Sequence, residues 1–289
     1  MTALPLNGFG AVVVGGSRGI GAAVATLLAE LGAGVVVNGR DADAVDETVG
    51  AITAVGGLAL GLPGSAADDE TATALIALCE NEFGQINALV NCAGAAEPTG
   101  SSILGITPAD FRDLIDIHLG TVFATCRAAA PRMVARGGGS IVNTSSFAYL
   151  GDYGGTGYPA GKGAVNGLTM AISAELAEHG VRANVVCPGA RTRLSTGADY
   201  EAHIESLRRR GMLDEVSAQG ALDAAPAEYV APTYAYLVSD LSVRVTGQIL
   251  IAAGGFVGRF DRPSPTLLGY RDHHGAPPWS LAEIDTMLN

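Results

Sequence analysis

A chain of 289 residues with a formal net charge of −12 is long enough for one large α/β domain with a sizeable core. Its acidic balance, with no basic stripe to offset it, argues against nucleic acid as a partner. The longest apolar runs are short and broken by glycine, and the N-terminus lacks the basic-then-apolar order of a signal peptide, so no membrane association and a cytoplasmic location are expected. Four cysteines, Cys79, Cys92, Cys126 and Cys187, stand far apart without metal-type spacing and read as reduced core thiols, with no metal site.

Phe9 to Val14 is an apolar run that breaks into Gly15-Gly16-Ser17-Arg18-Gly19-Ile20-Gly21 and leads into a pattern with Val24, Leu27, Leu28 and Leu31 on one face. This order predicts a strand, a phosphate-cradling turn and a helix. Gly15 permits the sharp turn, Gly19 the approach of a phosphate and Gly21 the packing of helix on strand. The N–H groups from Gly19 to Gly21 form the positive helix end. Gly34 to Asn38 reads as a second buried strand, with Gly39-Arg40-Asp41 at its carboxyl end. An acidic side chain there would bond the adenosine ribose. Glycine followed by arginine leaves room for a 2′-phosphate and offers it a charge-assisted fork, and Arg18 can close from the other side. NADP(H) is therefore the preferred cofactor, and Asp41 keeps NAD(H) open.

A helix over 42–55, a weak strand over 58–62, a helix over 68–83 and a strand over 88–91 continue an alternation that implies a parallel sheet with right-handed crossovers. The small residues of Asn91-Cys92-Ala93-Gly94 let the chain pass close to a cofactor. Thr107 as N-cap and Pro108 in the first turn open a long helix through Phe111, Leu114 and Ile115. Gly139 to Ser146 forms the fifth strand and its exit. From Tyr158 to Lys162 the spacing is four, which stacks the two side chains on one helix face. A phenol of pKa about 10 is a poor acid–base group at neutral pH, and a neighbouring ammonium stabilises its phenolate. A serine hydroxyl at the strand exit is placed to polarise a carbonyl.

The blocks Gly15-x-x-x-Gly19-x-Gly21, Asn91-x-Ala93-Gly94, a serine before Tyr158-x-x-x-Lys162, and Asn184-Val185-Val186-Cys187-Pro188-Gly189 occur in the order and separations of the short-chain dehydrogenase/reductase family, which the chain resembles over residues 8 to 255. The resemblance implies a doubly wound parallel sheet of the Rossmann type in one α/β domain (1–255, with a substrate lid at 194–222) and a C-terminal tail (256–289). It implies that Tyr158 exchanges the proton, that Lys162 lowers its pKa and holds the nicotinamide ribose, and that the serine orients the carbonyl while hydride passes to or from nicotinamide C4. Pro188, Gly189 and Thr192 would lie by the nicotinamide. A homotetramer or homodimer is implied too, with the last strand, Thr246 to Gly255, near a tetramer axis.

Three departures qualify the match. His118 stands where the family usually has an asparagine, and it is expected to hold a relay water as a neutral ring whose charge changes near pH about 6.5. Ser65 stands where an aspartate commonly meets adenine. The family spacing of thirteen to the tyrosine selects Ser145, whereas strand register selects Ser146, because register is fixed by alternation and loops tolerate deletion. Ser146 is the preferred catalytic serine.

Within the family, His118, the stretch Pro226 to Pro232 and Arg191-Thr192-Arg193 look most like the (3R)-hydroxyacyl-CoA dehydrogenase part of the type 2 multifunctional enzyme of β-oxidation and its bacterial relatives. Arg208, Arg209 and Arg210 are then candidates to meet CoA phosphates. The expected function is hydride transfer on a secondary alcohol or ketone, including a 3-hydroxyacyl/3-oxoacyl thioester. A ketosteroid or small-carbonyl reductase is the alternative, and a catalytically silent dinucleotide-binding sensor or scaffold is the alternative of another class. In the tail, Ser280 and Glu283 make a capping box before the stripe Leu281, Ile284, Met287 and Leu288, which must bury at home or on a neighbouring subunit.

Overall fold

The computed structural model describes residues 4–98 and 100–289. Strand β1 (Gly10–Val14) is buried throughout, as expected of a strand covered on both faces, which needs no polar alternation. It feeds α1 (Gly19–Glu30), β2 (Gly34–Gly39), α2 (Ala42–Ala54), β3 (Leu58–Pro63), α3 (Asp69–Phe83) and β4 (Ala88–Asn91). A long helical stretch follows in three parts: α4 (Pro108–Ile115), a π-helical turn over Asp116–Gly120, and α5 (Thr121–Arg136). Thr107 caps it as expected, its side chain accepting from the Asp110 N–H. Then come β5 (Gly139–Thr144), α6 (Gly157–Glu175), β6 (Val181–Gly189), α7 (Ala198–Arg209), α8 (Glu215–Leu222), α9 (Ala231–Val238) and β7 (Ile249–Ala253).

The sheet order is β3-β2-β1-β4-β5-β6-β7, parallel throughout, with one further strand, β8 (Phe256–Phe260), antiparallel on β7. On one face Val13, Val35 and Val37 meet Val24 and Leu28 of α1 and Tyr234 and Leu237 of α9. On the other, Val12, Leu89 and Ile141 meet Leu75 of α3, Met133 of α5 and Val165 of α6. Strand order reverses between β1 and β4, so their carboxyl ends diverge into a crevice, the place where doubly wound sheets bind ligands.

The last strand differs from expectation. The run from Thr246 to Gly255 is not one strand at the end of the sheet, because Gly254, at φ +54°, and Gly255 turn the chain back so that Phe256–Phe260 pairs along β7 from Ile249↔Phe260 to Ala253↔Phe256. A two-residue Gly-Gly loop favours a hairpin because its positive φ matches the strand twist. A neighbouring subunit approaching this edge would therefore meet β8 rather than β7.

Beyond Phe260 the tail ends in α10 (Leu281–Leu288), where the capping box is formed. Arg271 stacks 3.7 Å over the Trp279 ring and pairs with Glu283. The apolar stripe is not buried at home: Leu281 is 87 % exposed and Leu288 65 %. Among the described residues no helix is long and apolar enough to cross a membrane.

Candidate active site

The crevice is a cleft of about 2500 Å³ running from the glycine turn past Tyr158 to helices α7 and α8. At its floor Gly15 takes φ +72°, and a Cβ there would stand 2.6 Å from the Ala93 N. A Cβ on Gly21 would collide with the Gly15 carbonyl, so the helix can begin against the turn only because both are glycine. The first turn of α1 has neither a capping side chain nor an acidic residue, which leaves its N–H groups and positive end free for an anion. Thr192, in the loop after β6, would lie 3.5 Å from a Cβ on Gly19, so this loop arches over the turn. Uncapped donors and glycine-made space fit a dinucleotide pyrophosphate.

Gly15, Ser17, Arg18, Gly19, Ile20, Gly21, Gly39, Arg40, Ala93, Gly94, Pro188, Gly189 and Thr192 all line this cleft, as does Ser65. Asn91 is the exception. It is 2 % exposed and does not line the cleft; its amide donates to Asn143 Oδ1 (2.9 Å) and its carbonyl accepts from the Thr125 hydroxyl (2.9 Å). Asn143 in turn donates to Thr169 of α6 (2.9 Å). The Asn91 side chain thus braces β4, β5, α5 and α6 beneath the cleft, so the cofactor contact expected at this position falls to its backbone.

At the adenosine end, Arg18 donates to Asp41 Oδ2 at 2.7 Å, while Asp41 Oδ1 caps α2 by accepting from the Ala44 N–H. The Arg18 guanidinium and then the Ala44 N–H hold the Asp41 carboxyl below its ordinary pKa. Asp41 is thereby occupied twice. Asn38 is buried and donates to the Leu62 and Gly64 carbonyls, tying β2 to β3. Arg40 is exposed at the cleft and has no carboxylate partner among the described residues.

At the other end β5 delivers two serines that face different ways. Ser145 is 2 % exposed and its hydroxyl donates to the Lys162 carbonyl at 3.1 Å. The Ser146 hydroxyl accepts from the Ala148 N–H and favours ionisation of the Tyr158 phenol. Lys162 is buried; its ammonium donates to the Thr144 carbonyl at 2.9 Å and lies 5.7 Å from the Tyr158 ring centroid. Burial pulls the lysine down to about 8. For Tyr158 burial is again the largest influence and raises the phenol, so among the protein's own groups the tyrosine rests protonated, as a proton donor must.

His118 sits in the π-helical turn, and its larger ring fits because its neighbours are glycines: a Cβ on Gly161 would meet the His118 Cβ at 3.0 Å, and one on Gly94 the ring at 3.2 Å. Nε2 lies 3.1 Å from the Ala95 carbonyl, which can only accept, so Nε2 carries the proton and Nδ1 presents a lone pair. Nδ1 is buried without a partner. The ring stands edge-on to Tyr158, with centroids 4.9 Å apart. Burial first, and then the Lys162 charge, push His118 down to about 3. The change of charge expected near pH about 6.5 therefore does not occur in the folded protein.

That shift has a stability consequence. Because the folded value lies below the unfolded one of 6.5, the unfolded chain takes up a proton that the fold refuses. Stability from this source is complete above pH about 6.5 and falls as pH drops from there towards about 3. At pH about 5 the loss is about 2 kcal/mol, from about 1.4 kcal/mol per pKa unit. Denaturant titrations at pH about 7 and about 5 should show the wild type losing about 2 kcal/mol more than His118→Asn; equal losses would contradict the buried neutral ring.

Helices α7 and α8, in the segment expected to form a lid, close on a small core of their own, Ile204, Leu207, Leu213 and Ala218, with Tyr153 and Tyr200 packed against it. His203 Nε2 meets the Tyr153 carbonyl at 2.9 Å and ties α7 to the segment before α6. Of the arginines proposed for CoA, Arg208 is spent on Glu205 (2.8 Å) and Glu215 (2.9 Å), and only Arg210 of the three lines the cleft, together with Arg193. Asp272, His273 and His274 are the one cluster of potential metal ligands among the described residues; they are exposed in the tail and do not line the cleft.

A doubly wound sheet with a glycine-floored crevice at its switch point, and a Tyr–Lys pair on its wall, defines a dinucleotide-dependent oxidoreductase. Residues 14–257 match the family model described as enoyl-(acyl carrier protein) reductase. The chain is 36 % identical over 247 residues to a 3alpha-hydroxysteroid dehydrogenase of Mediterraneibacter gnavus, covering 84 % of this chain and 95 % of that one. It is likewise 36 % identical over 250 residues to a cis-4-hydroxycyclohexanecarboxylate dehydrogenase of Sinomonas cyclohexanicum, covering 85 % and 95 %. A short chain dehydrogenase from Mycobacterium avium superposes with a TM-score of 0.80 at 29 % identity, covering 98 % of this chain and 94 % of that one. The chain belongs to the short-chain dehydrogenase/reductase family, whose members use NAD(P)(H), and it is an oxidoreductase of that type acting on hydroxyl or keto compounds. The silent-scaffold reading is thereby set aside.

Proposed function

We propose that this chain interconverts a secondary alcohol and a ketone carried on a bulky apolar skeleton, with NADP(H) as preferred cofactor. The observation that carries the reading is the placement of Ser146, Tyr158 and Lys162 on one wall of the cleft, opposite a lid presenting Leu194 and Met212. In reduction, the Tyr158 phenol gives its proton to the carbonyl oxygen while the Ser146 hydroxyl donates to the same oxygen as it gains charge. The Lys162 ammonium steadies the phenolate left behind, and the His118 Nδ1 lone pair holds a water through which the proton is replaced. A nicotinamide dinucleotide, held by the glycine turn, Lys162 and the Pro188–Gly189 segment, would supply the hydride. Two named relatives act on ring alcohols, a hydroxysteroid and a hydroxycyclohexanecarboxylate, which supports a cyclic substrate. Arg193 and Arg210 at the cleft favour a second reading, a 3-oxoacyl thioester with an anionic end, as in the (3R)-hydroxyacyl-CoA dehydrogenases.

Oxidation of NADPH and NADH against a panel of ketosteroids, cyclohexanones and 3-oxoacyl thioesters tests this. The highest kcat/KM should fall on a ring ketone with NADPH. Preference for thioesters would establish the second reading, and no turnover of any would sink both.

The cofactor preference rests on Arg40. A charge-assisted contact to a 2′-phosphate contributes about 1.5 to 3 kcal/mol, or at least about tenfold in affinity. NADPH should bind at least about tenfold more tightly than NADH, and Arg40→Ala should remove most of the gap, as read by direct titration. Equal or tighter NADH binding in the wild type would contradict the preference. Gly39→Asp is a poorer test than the sequence suggests, since a Cβ there would stand 2.8 Å from the Ser17 Cβ, forcing the turn to shift. Exposed Phe123 on α5 and the open stripe of α10 support a homotetramer or homodimer, and four free cysteines support a cytoplasmic setting.

A further inference from the structure

The helix that carries Tyr158 begins without a cap of its own. Thr156 occupies the N-cap position of α6 but its side chain makes no capping bond, and no acidic residue stands in the first turn. The donors are met instead from 60 residues away. Glu97, in the segment after β4, accepts from the Thr156 N–H (3.0 Å) and the Gly157 N–H (3.1 Å) through Oε1, and from the Tyr158 N–H (2.5 Å) through Oε2. The Ser101 hydroxyl donates to the same Oε1 at 2.8 Å and fixes the carboxylate from behind. Burial alone would raise the Glu97 pKa, but the N–H groups of Tyr158 and Thr156, the Ser101 hydroxyl and the Gly157 N–H reverse this and hold it below its ordinary value.

Local sequence makes room for the arrangement. Gly154 and Gly155 take φ +70° and +80°, and a Cβ on Gly155 would meet the Glu97 carboxyl at 3.1 Å. Successive N–H groups converging after such a turn form an anion-binding nest, and the helix dipole adds to its attraction for a carboxylate. Glu97 and Tyr158 also line the same cleft, so the clamp joins the segment after β4, Gly94 to Pro98, to the proton donor.

We propose that Glu97 is a positioning residue for Tyr158, holding the first turn of α6 against the segment that follows β4 so that the phenol meets the carbonyl oxygen at the right place. This rests on the reading of Tyr158 as the proton donor. Losing all three acceptor contacts frees the backbone of Tyr158 itself, and a misplacement on the order of 1 Å costs up to about a hundredfold in rate. The glycine turn and the Lys162 ammonium make none of these contacts; the ammonium is held separately by the Thr144 carbonyl.

The test uses Glu97→Ala, Glu97→Gln and Tyr158→Phe in the full-length protein. Glu97→Ala should lower kcat by about tenfold to about a hundredfold while the NADPH dissociation constant stays within about twofold. Amide exchange at Thr156, Gly157 and Tyr158 should quicken at least about tenfold as three N–H groups lose their acceptor. Glu97→Gln, which keeps one carbonyl oxygen, should fall between Glu97→Ala and wild type in both rate and exchange. Unchanged exchange would overturn the clamp. Faster exchange with unchanged kcat, or a kcat loss matched by an equal loss of cofactor affinity, would overturn the positioning role. Should Tyr158→Phe itself stay active, the reading of Tyr158 fails instead, and the exchange result still reports on the clamp.

Discussion

Replacing Tyr158 by phenylalanine should lower kcat by about three orders of magnitude, the middle of the range for losing a general acid, while the NADPH dissociation constant changes by less than about twofold. The ring stays edge-on to His118 and in place on α6, so only the transferable proton is lost. Lys162→Ala should damage both quantities, because its buried ammonium both faces the cleft and holds the Thr144 carbonyl at the exit of β5. Equal losses of cofactor binding in the two variants, measured by titration beside steady-state turnover, would show that the two residues do not divide the work in this way.

Ser146→Ala should cost about two orders of magnitude in kcat, the scale for removing one oriented donor from a developing oxyanion. Ser145→Ala should leave the rate within a few-fold and act on stability instead. Its hydroxyl is turned inward onto the Lys162 carbonyl, a neutral hydrogen bond contributing about 1 kcal/mol net. The contrast arises from strand register: consecutive residues point to opposite sides, so one serine faces α6 and the next faces the cleft. Turnover and denaturant midpoints of both variants check it, and a larger rate loss in Ser145→Ala would reverse the assignment.

What was legible in the sequence was what local chemistry decides. Valine runs enclosed on both faces, the glycine turn before a helix, Thr107-Pro108 and the Ser280–Glu283 box all carry their reasons within a few residues, and each stands where expected. One local signal has two meanings: a Gly-Gly pair after an apolar run marks a strand end or a hairpin loop, and Ala253-Gly254-Gly255-Phe256 is the loop, with β8 beyond it. The π-helical turn at Asp116–Gly120 leaves no mark in apolar spacing, although it is what carries His118 to Gly94 and Gly161. The remaining differences are tertiary. The Asn91 side chain looks like a cofactor contact until Asn143 and Thr125 are seen to claim it, Arg208 looks free until Glu205 and Glu215 are seen beside it, and Glu97 meets Tyr158 across 61 positions of chain. Burial likewise moves His118 from its ordinary value to about 3, a shift that only packing can produce.

Hydride transfer at this cleft is tested most directly by giving the wild-type enzyme NADPH deuterated at nicotinamide C4, on the face it uses, together with a ring ketone that it turns over. Product analysed by mass spectrometry and NMR should carry one deuterium on the carbinol carbon, with the hydroxyl proton drawn from solvent by way of Tyr158. Alcohol product free of deuterium at that carbon, or cofactor consumed without any alcohol formed, would contradict it.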